Sequence, residues 1–209
     1  EPDMGNRAVI TTPDKKMGVY LHWNGGRDSV EAFLHYCELH GFRSPDRDPY
    51  GWARLCQVIG NFFGGGLSVG VGLYDQLDTD NWDNGVYIIE GWRIVGREFN
   101  RHAEQSSYDH AVMLHDIDDS QPEGMRLGRY IDAVEVPVCE VEEGDEVWLE
   151  SVRGGFEPYR VCGFAVPPSL RRTGERLPFV EMHNAEEGRE AVLLNPNNFI
   201  RSATVRVTR

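Results

Sequence analysis

Apolar residues over the first hundred positions follow two alternating periods. Residues 7–12 (RAVITT) and 17–23 (MGVYLHW) alternate at the spacing of half-buried strands, with Val19, Leu21 and Trp23 on one side and Tyr20 and His22 on the other. Pro13-Asp14-Lys15-Lys16 separates the two runs, and Asn24-Gly25-Gly26 ends the second. The period then becomes helical. Val30, Phe33, Leu34 and Cys37 share one side, Asp28 and Glu31 stand at capping-box spacing with Asp28 as the expected N-cap, and Gly41 supplies a left-handed stop. Asp48-Pro49 predicts a second helix start, because proline at the first helical position misses no amide donor. Trp52, Leu55, Cys56, Ile59 and Phe63 recur along that helix until Gly64-Gly65-Gly66. In the next strand, residues 67–73, Gly70 and Gly72 leave one side bare for close approach. Residues 86–89 and 94–95 flank Glu90-Gly91-Trp92-Arg93, a hairpin with Gly91 at the positive-φ position of a type II′ turn.

Residues 100–121 are polar, dotted with Asp and His, and predict a loop region. Beyond them, Val134, Val136 and Val138 alternate, Glu143-Gly144-Asp145 is a turn before residues 147–149, and residues 159–166 are a strand stopped by Pro167-Pro168. Residues 191–194 and 203–207 predict further strands. The expected fold is α+β: a largely antiparallel sheet with two helices on one face over residues 4–100, a loop-rich connection over 101–128, and a β-rich, barrel-like part over 129–209. No fixed-period repeat is visible.

With 209 residues, 40% hydrophobic and 11% aromatic, the chain can bury a core, which argues against wholesale disorder. Its net charge of -13 opposes a general attraction to nucleic-acid phosphates or anionic lipid, so the expected partner is a protein, without direct nucleic-acid or membrane binding. No apolar run approaches the ~20 residues of a membrane helix. Cys37, Cys56, Cys139 and Cys162 lack zinc-site spacing and are expected to be reduced and structural, which suits a cytoplasmic location. The start Glu1-Pro2-Asp3-Met4 is expected to be a non-native remnant running into a native Met4, and no signal peptide is expected. The oligomeric state stays open.

Three stretches could carry chemistry. His22-Trp23-Asn24-Gly25-Gly26-Arg27-Asp28 joins a strand end to a helix start, where free amides attract anions; His22, Arg27 and Asp28 are the catalytic candidates, and Trp23, Asn24, Gly25 and Gly26 the binding ones. The glycine spacing fits neither a Walker loop nor a dinucleotide fingerprint. Asp75, Asp78, Asp80 and Asp83 make an oxygen-rich loop whose register is wrong for an EF-hand, so no metal or cofactor is assigned. Glu140, Glu142, Glu143, Asp145, Glu146 and Glu150 form an acidic cluster without Lys or Arg among them, and Asp116, Asp118 and Asp119 a second. Such carboxylates dock on a basic protein surface or imitate a phosphate backbone, as acidic inhibitors of nucleases do; Glu142, Glu143, Asp145 and Glu146 are the binding candidates.

The stretches Gly5-Asn6-Arg7-Ala8-Val9-Ile10, Tyr20-Leu21-His22-Trp23-Asn24-Gly25-Gly26 and Asp83-Asn84-Gly85-Val86-Tyr87-Ile88 resemble a group of uncharacterised bacterial and phage or plasmid proteins. The resemblance covers about half the chain and carries no activity; by association it suggests a mobile-element accessory factor or host-defence antagonist. The expectation is an acidic protein-binding module, with a small hydrolase or transferase at His22 to Asp28 as the alternative.

Overall fold

The computed structural model describes residues 5–66, 68–101, 109–150, 155–166, 171–172, 174, 176–184, 188–193 and 204–209. The expected features at Met4, Leu67, residues 102–108, Pro167-Pro168, Leu194 and Ala203 lie outside the described residues. The chain divides into two units, Glu1–Arg126 and Leu127–Arg209, and the α+β class is present.

The first unit contains β1 (Ala8–Thr11), β2 (Met17–Leu21), α1 (Arg27–Leu39), α2 (Pro49–Phe62), β3 (Val69–Leu73), β4 (Val86–Glu90), β5 (Arg93–Glu98) and α3 (His110–Ser120). Its sheet runs β3-β2-β1-β4-β5. Every pair is antiparallel except β1 with β4, where Val9 lies opposite Val86 in parallel. Registered partners share a face, so Ala8, Ile10, Val19, Leu21 and Tyr87 all point to one side. That side faces the helices: the Tyr87 hydroxyl donates to the carbonyl of Gly25, just ahead of α1.

Helix α1 starts earlier than the capping-box spacing predicts. Its N-cap is Gly26, with extended backbone and no side-chain cap, and the Gly26 carbonyl already accepts from the Val30 amide. Asp28 therefore sits inside the first turn, where its charge still complements the helix dipole. The other end follows the sequence. Gly41 has φ +68, its amide donates to Glu38 and that of Phe42 to Cys37, the paired bonds of a Schellman stop. Helix α2 also begins as expected: the Asp48 side chain accepts from the Tyr50 amide, with Pro49 in the first turn.

Residues 110–120 are helix where a loop was expected. The Asp109 side chain caps α3 by accepting from the Val112 amide, and Leu114 and Ile117 turn inward. So does Asp118, whose carboxylate accepts from the Tyr36 hydroxyl at 2.6 Å. Helix α3 lies against α1 and α2, which makes α1 buried on two sides: Val30, Phe33, Leu34 and Cys37 are enclosed, and so are Ala32 and Tyr36.

On the opposite face, Leu77 from the segment between β3 and β4 packs beside β2 and β3. A Cβ added at Gly18 would lie 2.8 Å from Leu77 Cδ1, and one at Gly72 3.3 Å from Leu77 Cδ2. The bare side left by the strand glycines thus receives a leucine of the same chain. At the hairpin, Gly91 has φ +60 between the paired Glu90 and Arg93, as the turn chemistry predicts.

The second unit carries β6 (Val134–Pro137), β7 (Glu146–Glu150), β8 (Phe156–Ala165), β9 (Leu177–Asn184), β10 (Gly188–Leu193) and β11 (Thr204–Thr208), in the order β10-β9-β8-β7-β11-β6. The sheet curls into a half-barrel. Val138, Val141, Val147, Val161, Val180, Val205 and Val207 fill its concave side, a core of β-branched side chains suited to pleated surfaces. Tyr130 stacks on Phe156 with ring centroids 4.3 Å apart.

Candidate functional site

The turn from His22 to Asp28 is built into the first unit by its own hydrogen bonds. The Gly25 amide donates to the Asn6 carbonyl at 2.7 Å, and the Gly25 carbonyl accepts from Tyr87 at 3.0 Å. Gly25 and Gly26 are buried. A Cβ on Gly25 would stand 2.5 Å from Asn6 O and 2.7 Å from Ala8 Cβ, so glycine is needed for the backbone to close on β1. Asn24 takes φ +54 and its amide donates to Ser29 Oγ at 3.2 Å. The Arg27 guanidinium is held by Glu31 at 2.6 Å, one helical turn on. His22 Nδ1 lies 3.4 Å from the Tyr20 hydroxyl, and its ring meets the exposed Trp23 edge-on at 5.1 Å. The Gly25 amide, one residue ahead of the N-cap, is thus spent on the Asn6 carbonyl.

The acidic loop is similarly occupied. Asp83 accepts from the Arg7 amide at 3.1 Å and from its guanidinium at 2.7 Å. Asp80 receives Arg101, which also lies 4.1 Å over the ring of Trp82. Asp75 and Asp78 are exposed. No group of three or more metal-ligating side chains gathers among the described residues. Asn81 fixes the loop from within, donating to Asp78 O and accepting from the Asp83 and Gly85 amides. Glu98 ties it to the sheet, accepting from Lys15 Nζ at 2.6 Å and from the Tyr74 hydroxyl at 3.2 Å. The lysine hydrogen bond holds the Glu98 carboxyl below its ordinary range, and burial pushes Tyr74 up.

In the second unit the acidic cluster divides. Glu140, Glu142, Glu143 and Glu150 are exposed. Asp145 is buried, accepts from the Glu142 amide at 2.9 Å and pairs with Arg209 at 3.5 Å. Glu146 pairs with Arg129 at 2.7 Å. Of the other trio, Asp118 points into the core toward Tyr36. Neither run therefore presents all its carboxylates to a partner. Cys37 is buried and Cys139 exposed, and all four cysteines are free thiols.

Two further features depend on contacts that sequence spacing hides. His35 on α1 and His110 on α3 stack with centroids 5.1 Å apart, and His35 Nδ1 lies 2.8 Å from His110 Nε2. One ring must donate and the other accept, so at least one is neutral. They line a cavity of about 400 Å3 with Glu31, Glu38, Arg93 and Trp92. His35 and His40, like His110 and His115, stand five residues apart in sequence, and the pairing of His35 with His110 follows only once α3 is known.

The second feature is the contrast between the two outer strands. β5 carries Arg93, Arg97 and Glu98, and a register shift interrupts its pairing at Ile88/Ile89, the usual guards of an open edge. β3 (VGVGL) has no charge and no proline. Val71 and Leu73 are 53% and 52% exposed, and Met17, opposite Leu73 on the same face, 37%. No family model, curated protein or solved structure matches the chain.

Proposed function

We propose that the chain is a protein-binding module whose first unit takes an extended segment of another protein along the outer edge of β3. The single observation behind this reading is the unguarded edge: an uncharged strand with a row of apolar side chains, in a sheet whose other edge is guarded. Strand addition supplies the main-chain hydrogen bonds, and Met17, Val71 and Leu73 receive alternate apolar side chains of the partner. The partner segment is basic outside those positions, because the receiving chain carries a net charge of -13. The hydrolase or transferase reading at His22 to Asp28 has weaker support, since Gly25, Asn24 and Arg27 spend their donors inside the unit.

The test is selection from a random displayed-peptide library against the intact protein, followed by titration of the selected peptides. Extended, alternating peptides rich in Lys and Arg are expected. Their binding falls about tenfold or more in Val71→Lys, which places a charge on the edge, and weakens with added salt. Equal binding to wild type and V71K, or binding indifferent to salt, rejects the reading.

A further inference from the structure

A cavity of about 440 Å3 lies between the β1–β2 turn and the loop entering α2, within the ~300–1,000 Å3 range of small-molecule sites. Its apolar walls include Pro13, Met17, Pro45, Pro49 and Trp52. The loop side is fixed in place. Gly51 packs so closely that an added Cβ would lie 2.4 Å from Pro45 N, Asp48 caps α2, and Asp46 accepts from the Gly91 amide at 2.9 Å. Such a wall is formed before any ligand arrives, which lowers the cost of binding.

The polar groups lining the cavity are unequally used. Asp14 accepts from the Thr12 hydroxyl and pairs with Lys16, Asp46 has the Gly91 amide, and Asp48 has the Tyr50 amide and Arg43. Each carboxylate thus has a partner within the chain, a cation in the case of Asp14 and Asp48. Among the described residues, the Arg47 guanidinium has no ion pair or hydrogen bond, and the Trp52 indole N–H has no acceptor. The indole N–H groups of Trp92 and Trp148, by contrast, donate to Phe42 O and Thr208 Oγ1. A guanidinium and an indole N–H without partners among the described residues, over an apolar floor, complement an anionic acceptor attached to an apolar body.

We propose that this cavity binds a small organic carboxylate, its apolar body between Trp52 and the prolines and its carboxylate on Arg47. The site goes beyond the β3 reading and uses different residues apart from Met17. The probe is 3-phenylpropionate, titrated into the full chain while the Trp52 indole resonance is followed in 1H–15N spectra. A saturable shift is expected at millimolar probe, and both 3-phenylpropionamide and the exposed-site variant Arg47→Gln weaken binding by about tenfold, the loss of one charge-assisted contact. No saturable shift at Trp52, equal binding of the amide, or unchanged binding by R47Q overturns the proposal. So does tenfold tighter binding of the tripeptide Gly-Gly-Phe, which assigns the site to a peptide carboxyl terminus instead. Val71 does not line this cavity, so peptide binding by V71K and probe binding by R47Q report on the two readings separately.

Discussion

Replacing Gly25 by alanine tests whether the strand-to-helix turn is a fastening. The backbone at Gly25 lies outside the left-handed region, so an alanine is conformationally allowed there and the penalty is one of space. The new methyl would sit 2.5 Å from Asn6 O and 2.7 Å from both Ala8 Cβ and Ala8 N; two of these are backbone atoms that cannot swing aside. Overpacking of this kind costs about 1–3 kcal/mol. Pushing Asn6 away also weakens the bond from the Gly25 amide, worth about 1 kcal/mol. The expected loss is about 2–4 kcal/mol, or a fall in Tm of about 10 °C for a unit of this size. Gly60→Ala is the matched control. Gly60 lies inside α2 with nothing within 4 Å of the added Cβ, so the same substitution gains about 0.5–1 kcal/mol from helix propensity. Urea unfolding followed by far-ultraviolet circular dichroism measures both, with an unchanged m-value required for the comparison. If Gly25→Ala lies within about 0.5 kcal/mol of wild type, the turn is not closed on β1 as described.

Three further outcomes follow from the packing. Gly18→Ala should cost about 1–3 kcal/mol, and Leu77→Ala should relieve part of that cost; a double-mutant cycle in urea with coupling below about 0.5 kcal/mol would remove Leu77 from the glycine notch. Complete burial pushes the Cys37 thiol far up, so a thiol-reactive chromogen should label the exposed Cys139 quickly in native protein and Cys37 only after denaturation; early labelling of Cys37 by peptide mapping contradicts this. Burial pushes His40 below its ordinary 6.5, against an opposing pull from Asp118, so the unfolded chain binds the proton more readily. The His40 contribution is whole above that ordinary value and is lost as the pH falls through it toward the folded value; the slope of unfolding free energy against pH in this window should flatten in His40→Gln, and an identical slope refutes it.

What could be read from sequence was whatever depends on near neighbours. Asp48-Pro49, Gly41 and Gly91 act on amides within a few residues of themselves, and each does in the fold what its spacing predicts. Helix α3 escaped because its polar face is broad and one of its inward residues is Asp118, whose partner Tyr36 lies 82 positions away. Asp28 looked like a cap because its spacing to Glu31 is right, but the turn is pulled tight by Asn6 and Ala8, and the helix begins before it. The acidic candidates divided for the same reason: Asp145 and Glu146 meet Arg209 and Arg129, and no local pattern announces those pairings. That β3 is an outer strand is a property of sheet order, invisible in VGVGL itself.

Of the sheet's five strands β1 comes first in chain order, yet it ends in the middle, flanked by β2 on one side and β4 on the other. As the chain leaves the ribosome, β1 can zip with β2 at once, but its second edge stays open until the residues around Val86 emerge. During that interval Val9 and Ile10 lack the β4 neighbours Val86 and Tyr87 that lie opposite them in the fold. A chaperone that binds short apolar stretches of nascent chain would find its target there, and slowing translation just before residue 86 would lengthen the exposure.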